Sequence, residues 1–513
     1  MTGKANFDLT KIPGISEMRG ISGPFDPLKL KRDPMGLAER EKNRNKIVGS
    51  LEEAVRLSGL KNGQTISFHH HFRDGDYVVN MVIDKLAEMG FKDLVLASSS
   101  LSDCHAPLIK HVKSGVIRRI ETSGLRGKLA DEISRGIMEI PVIFRSHGGR
   151  AFAIESAQIS IDVAFLGAPS CDAFGNANGY TLDADGVMCG SLGYAKCDAQ
   201  YAKNTIIVTN NVVPYPNIPF GIPESDVDYI VVVDAIGDPA GIMKGATRFT
   251  TNPKELVIAE IAADVIEASG RLVNGFSFQT GTGGASLAVT RFLRDKMKAK
   301  GITAGFALGG ITGSIVALHE EGLVKKLLDV QSFDLEAAAS LKNNPAHHQI
   351  SSMYYASPDG EGAAVNQLDV IVLSALEVDV DFNINVLTGN DGIIRGAVGG
   401  HQDTAFGASL TIVDCPLTRG RIPCVVDRVD AICTPGKTVD VIVTEQGVAV
   451  NPIRHDLMEK LASAGIQIKS IKELRDMAES MVGKPDPVEH TDKVVGVITY
   501  RDGSVIDLIH QVK

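Results

Sequence analysis

Residues 161–178 read IDVAFLGAPSCDAFGNAN, and residues 368–385 read LDVIVLSALEVDVDFNIN. Both stretches are apolar runs that end in polar residues, and they agree at several Asp, Val, Leu and Asn positions. Other segments return at a similar distance, since Ser58-Gly59 returns as Ser269-Gly270 and HVKSGVIRRI returns as HEEGLVKKLLDV. The offset stays between 207 and 212 residues, which indicates an internal duplication with small insertions.

Apolar strands alternate with helical segments in both copies. In the first copy, FKDLVLASSS, IDVAFLG and DYIVVVD read as buried strands, and DYVVNMVIDKLAEMG has apolar residues at helical spacing. In the second copy, GFALGG, LDVIVLSALE, IPCVVD and VDVIVTE read as strands. Strands separated by helices predict βαβ units, so the expected fold class is α/β, with two tandem duplicated domains and mostly parallel sheets.

The duplication also predicts the domain boundaries. We expect an N-terminal arm at residues 1–50, a first domain at 51–250 and a second domain at 251–513. Four prolines within the first 34 residues favour an extended arm that becomes helical near Ala38. A partly disordered tail is the alternative for this arm.

Two local signals predict where elements of the second domain begin and turn. Thr251 or Asn252 can cap a helix whose first position is Pro253 and whose first turn contains Glu255. At the end of the chain, KVVGVITYRDGSVIDLIHQVK predicts a hairpin around Asp502-Gly503.

The composition argues against several classes of function. The chain has 513 residues and a net charge of −10, with no long basic run, so we expect no nucleic-acid partner. It lacks both an apolar run of about 18 residues and a secretory leader, so we expect no membrane association. Seven cysteines without a C-x-x-C pair are typical of a cytoplasmic protein with free thiols.

The two copies differ in their chemistry at one matched position, where the first has Ser170 and the second has Glu377. Glu377, Asp379 and Asp381 alternate at the end of an apolar strand. These acids would crowd one another if the strand continued, and the pKa of at least one would rise. A carboxylate at the carboxyl end of a parallel strand lies where an α/β active site is expected. The alternative is a solvated strand end with an Asx-type turn.

Two glycine-rich loops in the second copy are candidate binding elements. Gln279-Thr-Gly-Thr-Gly-Gly284 lies between a strand and a helix, where backbone N–H groups can meet an anion. Gly399-Gly400 can present backbone N–H groups as an oxyanion hole, and the next residue, His401, can bind an acid. A tight packing turn is the alternative for the first loop, and a flexible loop is the alternative for the second.

Cationic side chains in the first copy are candidates for binding an anionic substrate. Arg73 follows three consecutive histidines, and Arg126 and Arg150 lie in glycine-framed segments. Consecutive histidines point in different directions, which disfavours a shared metal ion, whereas arginine pairs bidentately with carboxylate or phosphate. Solvated loops are the alternative for each. Cys104 has a histidine neighbour, but thiol–imidazole pairs usually come from separate segments, so we do not assign it a nucleophilic role.

Taken together, these motifs resemble the coenzyme A transferases, and most closely the family of citrate lyase alpha subunits. The resemblance covers nearly all of the chain beyond the arm. It rests on LASSSLSDCHAPL from Leu96, TSGLRG from Thr122, PSCDAFGNANGY from Pro169, QTGTGGASLAVTRFL from Gln279, LGGIT from Leu308, LLDVQSFD from Leu327 and VDVIVTEQGVAVNP from Val439.

The resemblance implies a transferase that acts on a carrier-bound thioester. Citrate would displace acetate from an acetylated acyl carrier, giving citryl-carrier and free acetate. The thioester belongs to a phosphoribosyl-dephospho-coenzyme A group supplied in trans by the gamma (acyl-carrier) subunit, and coenzyme A can serve as its surrogate. A beta subunit would then cleave citryl-carrier to oxaloacetate. The family thus implies a cytoplasmic oligomeric complex with beta and gamma subunits, citrate and acetate as ligands, and no metal for this step.

The resemblance also implies residue roles. Glu377 is similar to the nucleophilic glutamate of one class of these transferases, and Gly399 and Gly400 to the oxyanion loop of that class. Citrate lyase subunits are usually placed in a class without an enzyme-bound thioester, so Glu377 remains a candidate nucleophile, base or positioning residue. The implied cofactor-binding residues are Gln279, Thr280, Gly281, Gly283, Gly284 and Glu445, and the candidate citrate ligands are Arg73, Arg126, Arg150 and His401.

Other members of the same superfamily stay open as alternatives. A citramalate lyase alpha chain, or another acetate or acyl-coenzyme A transferase, would have the same two domains. A scaffold without catalytic activity is a third reading, and Glu377 and the two glycine loops argue against it.

Overall fold

The structure is a computed structural model that describes residues 8–15, 45–69, 71–181, 188–243, 250–281 and 283–513. Most of the predicted N-terminal arm, including the start of its predicted helix, lies outside the described residues. The helix Leu51–Ser58 begins directly after the arm, and Ser50 caps it by accepting a hydrogen bond from the backbone N–H of Glu53.

The first half of the chain alternates strands and helices, as predicted. Its strands are β1 (Ile47–Val48), β2 (Thr65–His69), β3 (Leu94–Ser98), β4 (Ile117–Thr122), β5 (Val142–Phe144), β6 (Val163–Ala168), β7 (Ser170–Asp172), β8 (Ala177–Asn178), β9 (Asn204–Thr209), β10 (Val212–Val213) and β11 (Tyr229–Val232). Its helices are α1 (Leu51–Ser58), α2 (Val78–Glu88), α3 (Leu108–Lys113), α4 (Gly127–Ser134), α5 (His147–Glu155) and α6 (Gly193–Tyr201).

The second half repeats this alternation and ends in a hairpin. Its strands are β12 (Ser277–Thr280), β13 (Phe306–Ile311), β14 (Leu327–Ser332), β15 (His347–Gln349), β16 (Val370–Ser374), β17 (Glu377–Asp379), β18 (Ile384–Asn385), β19 (Leu410–Asp414), β20 (Thr418–Arg419), β21 (Ile422–Pro423), β22 (Val425–Val426), β23 (Val441–Thr444), β24 (Gly447–Val450), β25 (His490–Thr499) and β26 (Val505–Val512). Its helices are α7 (Pro253–Ala268), α8 (Gly284–Lys300), α9 (Gly313–Glu320), α10 (Leu335–Asn343), α11 (Ser352–Ala356), α12 (His401–Gly407), α13 (His455–Ser463) and α14 (Ile471–Val482).

The two large sheets have the same strand order, which confirms the fold class. The first sheet runs β1-β11-β9-β6-β2-β3-β4-β5-β25-β26, and the second runs β15-β14-β13-β12-β16-β19-β23-β24. Strands β11, β9, β6, β2, β3, β4 and β5 therefore correspond in order to β23, β19, β16, β12, β13, β14 and β15. Only the terminal pairs, β25–β26 and β23–β24, are antiparallel in these sheets. The fold is thus a duplicated α/β unit with mostly parallel sheets.

Matched side chains make matched hydrogen bonds in the two halves. Asp172 accepts from the backbone N–H of Asn176 at 3.2 Å and from its amide at 2.8 Å. Asp379 accepts from the backbone N–H of Asn383 at 2.9 Å and from its amide at 3.1 Å. Each Asp also accepts from the backbone N–H two residues later at 2.9 Å, so the Asx-type turn that was the alternative reading of the second segment is present in both copies.

The C-terminal hairpin leaves its own half of the chain. It forms around Asp502-Gly503 as predicted, but β25 pairs in parallel with β5, so the hairpin extends the sheet of the first half. Val495, Ile498 and Ile509 are buried in the core of that half. The domain division at residue 250 stays a prediction, and the strand pairing adds that the end of the chain completes the first sheet.

Local signals explain where elements begin and where one prediction was wrong. The side chain of Asn252, not Thr251, caps α7 by accepting from the N–H of Lys254 at 3.0 Å, and Pro253 is the first helical residue. The segment IPCVVD is not one strand. Pro423 has no N–H to donate, and the N–H of Cys424 turns to the carbonyl of Leu417 at 2.9 Å, so β21 and β22 are separate. No described helix has the length and apolarity needed to span a bilayer.

Candidate active site

A cavity of about 630 Å³ lies between the two halves. The residues that end four parallel strands line it: His69 of β2, Thr280 of β12, Ser374 of β16 and Asp414 of β19. Ligand sites in α/β folds are expected at the carboxyl ends of parallel strands, and the volume suits a small-molecule site. Because both sheets contribute, neither half forms this site alone.

The glycine-rich loop between β12 and α8 lies on the cavity wall. Gln279, Thr280, Gly281, Gly283 and Gly284 all line the cavity, whereas Thr282 lies outside the described residues. The hydroxyl of Thr280 is buried and has no hydrogen-bond partner in the described part of the chain. Gly283 precedes the 17-residue α8 without any side-chain cap. An open helix N-terminus beside an unpaired hydroxyl suits an anionic or carbonyl group.

The loop is also a packing turn, so its two readings are compatible. A methyl group at Gly281 would lie 2.8 Å from the hydroxyl of Ser286 on the first turn of α8. Glycine is therefore required for close approach of backbone and helix, whatever ligand the loop binds.

Gly399 and Gly400 also line the cavity and have the backbone arrangement of an oxyanion site. Gly399 has a φ of +56°, and its carbonyl accepts from the N–H of His147 at 2.8 Å. Neither the N–H of Gly399 nor that of Gly400 donates a hydrogen bond to a described residue. Two unpaired N–H groups at a cavity wall can stabilise a developing oxyanion.

His401 lines the cavity, but it is neutral and held by the protein. Burial lowers its pKa to about 4. Its Nδ1 lies 2.8 Å from the hydroxyl of Thr434, and its Nε2 lies 3.3 Å from the carbonyl of Ser374. The carbonyl can only accept, so Nε2 carries the proton and Nδ1 accepts from Thr434. His401 therefore lacks the positive charge that would help it bind citrate, and both of its ring nitrogens already have hydrogen-bond partners.

Two of the predicted arginines lie together in the cavity. Burial, and then the charge of nearby Arg126, lowers the pKa of Arg73 to about 10. Arg73 donates to the carbonyl of Ile242 at 3.1 Å and lies 4.6 Å above the ring of Phe333. The guanidinium of Arg126 makes no hydrogen bond or ion pair with the described residues, and burial lowers its pKa. Both remain cationic at neutral pH and attract an anion.

Arg150 is not part of this cavity. Its guanidinium forms a bidentate pair with Asp198 at 2.6 and 2.7 Å and also donates to the carbonyl of Ala97 at 3.1 Å. Asp198 is fully buried, so the pair stabilises the contact between α5 and α6. An arginine with both terminal nitrogens engaged in this way is unsuited to the predicted role in citrate binding.

Glu377 is not among the residues that line the cavity. It accepts a hydrogen bond from the amide of Asn385 at 3.0 Å, and its pKa is raised by burial. The crowding expected for a continued strand does not arise, because the strand ends after Asp379 and Asp381 is exposed. Burial, not repulsion between neighbours, is the main cause of the raised pKa of both Glu377 and Asp379.

Glu445 connects segments near the cavity without lining it. Its carboxylate accepts from the N–H of Leu417 at 2.8 Å and pairs with Lys254 at 3.2 Å. It does not line the cavity, and it joins the loop after β23 to the segment before β20 and to the start of α7.

The sequence analysis did not identify two acids as functional: Asp414, which lines the cavity, and Asp403, which lies close to it. Asp414 lines the cavity, accepts from Ser374 at 3.0 Å and leaves its Oδ2 without a partner in the described chain. Burial raises its pKa to about 7, so it holds a proton part of the time at neutral pH. Asp403 accepts from the hydroxyl of Ser146 at 2.9 Å and from the N–H of Gly148 at 2.8 Å, which ties the two halves. An acid ending the apolar run LTIVD is a signal that could have identified Asp414.

Among the described residues, the remaining candidates do not form a nucleophile or a metal centre. His71 is fully buried, and burial lowers its pKa to about 3. Burial raises the pKa of the Cys104 thiol to about 12, which leaves it protonated. His70 lies outside the described residues. Among those described, no three His, Cys, Asp or Glu side chains are grouped to hold a metal ion.

Comparison with solved structures shows that this fold is shared. A chain of a Pseudomonas malonate decarboxylase hetero-tetramer, solved in complex with malonate, has the same fold with a TM-score of 0.64 at 17% identity, covering 85% of this chain and 86% of that one. A likeness at this identity shows a shared fold, in which two duplicated α/β halves have a coenzyme A transferase-like arrangement.

Closer relatives identify the family. The family model described as citrate lyase, alpha subunit, matches residues 44–512. The citrate lyase alpha chain of Klebsiella pneumoniae is 61% identical over 94% of both chains, and that of Escherichia coli K12 is 59% identical over 95% of both. A Streptococcus mutans structure, described as the alpha subunit of citrate lyase in complex with citrate, has a TM-score of 0.91 at 54% identity and covers 98% of this chain and 99% of that one. The chain belongs to the citrate lyase alpha-subunit family.

Proposed function

We propose that this chain exchanges acyl groups on a thiol carrier, with citrate displacing acetate from the acetylated carrier. A citrate carboxylate oxygen attacks the thioester carbonyl carbon, and the carbonyl electron pair moves onto its oxygen. Collapse of this oxyanion breaks the C–S bond and leaves a mixed anhydride and a thiolate. The thiolate then attacks the citryl carbonyl of the anhydride, which releases acetate and forms citryl-carrier. No net proton transfer is needed.

One observation carries this proposal: unpaired N–H groups of Gly399 and Gly400 share a cavity with the cationic Arg73 and Arg126. The arginines can hold the spare carboxylates of a tricarboxylate, and the N–H groups can stabilise the oxyanion. Holding both weakly reactive partners together supplies a high effective concentration. The citrate complex of the Streptococcus mutans relative supports the choice of substrate.

The carrier and the partner subunits form part of the same proposal. The thioester arrives as a phosphoribosyl-dephospho-coenzyme A group on the gamma subunit, and the beta subunit cleaves the citryl product to oxaloacetate. The open N-terminus of α8 and the unpaired hydroxyl of Thr280 fit a carbonyl or phosphate of that prosthetic group. The family implies a multi-subunit complex, within which this chain supplies the transferase step.

The direct test is citrate-dependent acetate release from radiolabelled acetyl-coenzyme A, with Glu377→Gln beside the wild type. We expect release by the wild type and near-normal release by Glu377→Gln, because Glu377 contacts Asn385 and does not line the cavity. We also expect no acyl adduct on the wild-type chain when its mass is measured after acetyl-coenzyme A is added alone.

Each contrary outcome has a distinct meaning. A covalent acetyl adduct that is absent from Glu377→Gln would make Glu377 the nucleophile. Release with citramalate or free acetate but not with citrate would favour a different transferase of the superfamily. A folded chain that releases no acetate, even with beta and gamma subunits present, would favour a non-catalytic scaffold.

Arg126→Ala is expected to raise the KM for citrate about 10–100-fold, which corresponds to one lost charge-assisted hydrogen bond. The KM for acetyl-coenzyme A should change far less, because Arg126 is predicted to hold citrate, and among the described residues only the charge of Asp103 acts on its guanidinium. Steady-state kinetics with each substrate varied in turn measures both constants.

Two variants control for charge and geometry. Arg126→Lys keeps the charge but loses the bidentate fork, so we expect an intermediate KM. Arg56→Ala removes an exposed arginine of α1 that pairs with Glu52, and it should change neither constant. Equal increases in both KM values for Arg126→Ala would show that Arg126 is not a specific ligand of citrate.

A further inference from the structure

His147 and Tyr194 form a buried pair at the cavity wall that the proposed reaction has not yet used. His147 begins α5, Tyr194 lies on α6, and both line the cavity. The hydroxyl of Tyr194 is hydrogen-bonded to Nδ1 of His147, and the two ring centroids lie 4.5 Å apart.

The partners of this pair determine which imidazole nitrogen carries the proton. Tyr194 is only 6% exposed, and Nδ1 of His147 is the one hydrogen-bond partner that its hydroxyl has in the described chain. A buried tyrosine hydroxyl needs an acceptor, so it donates to Nδ1. Nδ1 is then unprotonated, and a neutral ring must carry its hydrogen on Nε2. Burial, and then the charge of Arg150, lowers the pKa of His147 to about 3, so the ring is neutral.

The imidazole of His147 lies beside Gly399. The N–H of His147 donates to the carbonyl of Gly399 at 2.8 Å, which fixes the two segments side by side. A methyl group built on Gly399 would lie 3.8 Å from Cε1 of His147, the ring carbon between Nδ1 and Nε2, so the imidazole ring lies next to Gly399. No described residue accepts a hydrogen bond from Nε2. A neutral imidazole of the first half thus adjoins Gly399, which is followed by Gly400 and whose N–H donates to no described residue.

We propose that His147 is a catalytic residue that donates its Nε2–H to the oxyanion formed at the thioester carbonyl, together with the N–H groups of Gly399 and Gly400. This inference rests on the proposed acyl exchange. Tyr194 is a positioning residue, because it fixes the tautomer through Nδ1. A neutral donor stabilises the oxyanion without protonating it, so the oxyanion can still collapse and expel the thiolate.

The tautomer can be measured without any turnover. In the full chain labelled with 15N-histidine at pH 7, the signal of His147 is identified by its loss in His147→Gln. We expect an unprotonated Nδ1 and a protonated Nε2. Tyr194→Phe should remove this preference, while Tyr354→Phe, which changes a tyrosine that is 47% exposed, should not. A proton on Nδ1 in the wild type would overturn the inference.

Kinetics provides the second arm, with acetyl-coenzyme A and citrate as substrates. His147→Ala should lower kcat about 100-fold with little change in KM for citrate, because the lost contact forms only in the transition state. His147→Gln keeps an N–H donor and should lose only about tenfold. Tyr194→Phe should lower kcat and leave KM unchanged.

The outcomes separate this inference from the proposed function. An inactive wild-type chain would defeat the acyl-exchange proposal, whatever the tautomer of His147. An active wild type with a nearly unchanged kcat in folded His147→Ala would defeat only the role of His147. If His147→Ala does not fold, by circular dichroism, His147→Gln and Tyr194→Phe decide, and unchanged kcat in both would overturn the inference.

Discussion

Replacing Asp403 with alanine should lower the free energy of unfolding by about 3–5 kcal/mol and remove most acyl exchange. Its fully buried carboxylate accepts from the hydroxyl of Ser146, the N–H of Gly148 and, at 3.4 Å, the guanidinium of Arg501. These donors come from α5 in the first half and from the C-terminal hairpin. Without the carboxylate, three buried donors lose their acceptor and Arg501 loses its counter-charge.

The loss of activity follows from where these contacts lie. Asp403 is two residues after His401 and three after Gly400, and its partners Ser146 and Gly148 flank His147. The carboxylate therefore holds the oxyanion loop of one half against α5 of the other. Burial raises the pKa of Asp403, while Arg501 and the other donors act in the opposite direction.

Urea unfolding followed by circular dichroism, together with acetate release, measures both effects. Asp403→Asn keeps the volume but places an amide NH₂ among donors, so it should also be destabilised. Glu52→Ala removes an exposed carboxylate that pairs with Arg56, and it should leave stability and activity nearly unchanged. If Asp403→Ala unfolds at the same urea concentration as the wild type, this carboxylate does not join the two halves.

The sequence allowed the fold to be predicted because the duplication states the same pattern twice. Apolar runs predicted β6 and β16 at matched places, and the matched Asx turns follow from Asp172 and Asp379. The position of β25 could not be predicted in this way. A hairpin has a local turn signal, but its pairing with β5 joins residues more than 300 positions apart and depends on packing in the finished sheet.

The site was predicted in part, for a similar reason. Glycine-rich loops can be recognised from the sequence, and both of the loops predicted here lie at the cavity. Arg126 and Arg150 look alike in sequence, since each has a glycine neighbour. What separates them is Asp198, which lies 48 positions from Arg150 and pairs with it only after α5 and α6 meet. Likewise, nothing local to His147 indicates that Tyr194 will fix its tautomer.

Gly400→Ala should lower kcat about 10²–10³-fold, the loss typical of a displaced oxyanion donor. A methyl group on Gly400 would lie 2.5 Å from the hydroxyl of Tyr355, a residue that is only 1% exposed. This hydroxyl is hydrogen-bonded at 3.0 Å to Gln279 of the glycine-rich loop between β12 and α8. Neither the rigid ring nor its buried surroundings can yield easily. The backbone N–H of residue 400 must therefore shift away from the position that the oxyanion requires.

A double-mutant cycle tests that steric cause. The hydroxyl is the nearest atom, and the ring carbons Cε1 and Cζ lie farther away, at 3.4 Å. Tyr355→Phe in the Gly400→Ala background should therefore restore part of kcat, although Tyr355→Phe alone should lower activity slightly by releasing Gln279. Gly362→Ala, where an added methyl group meets nothing within 4 Å, is the matched control and should behave as the wild type. If the effects of the two substitutions on kcat are additive, the clash with the hydroxyl does not cause the loss of kcat in Gly400→Ala. If Gly400→Ala alone keeps full kcat, its N–H does not serve the oxyanion.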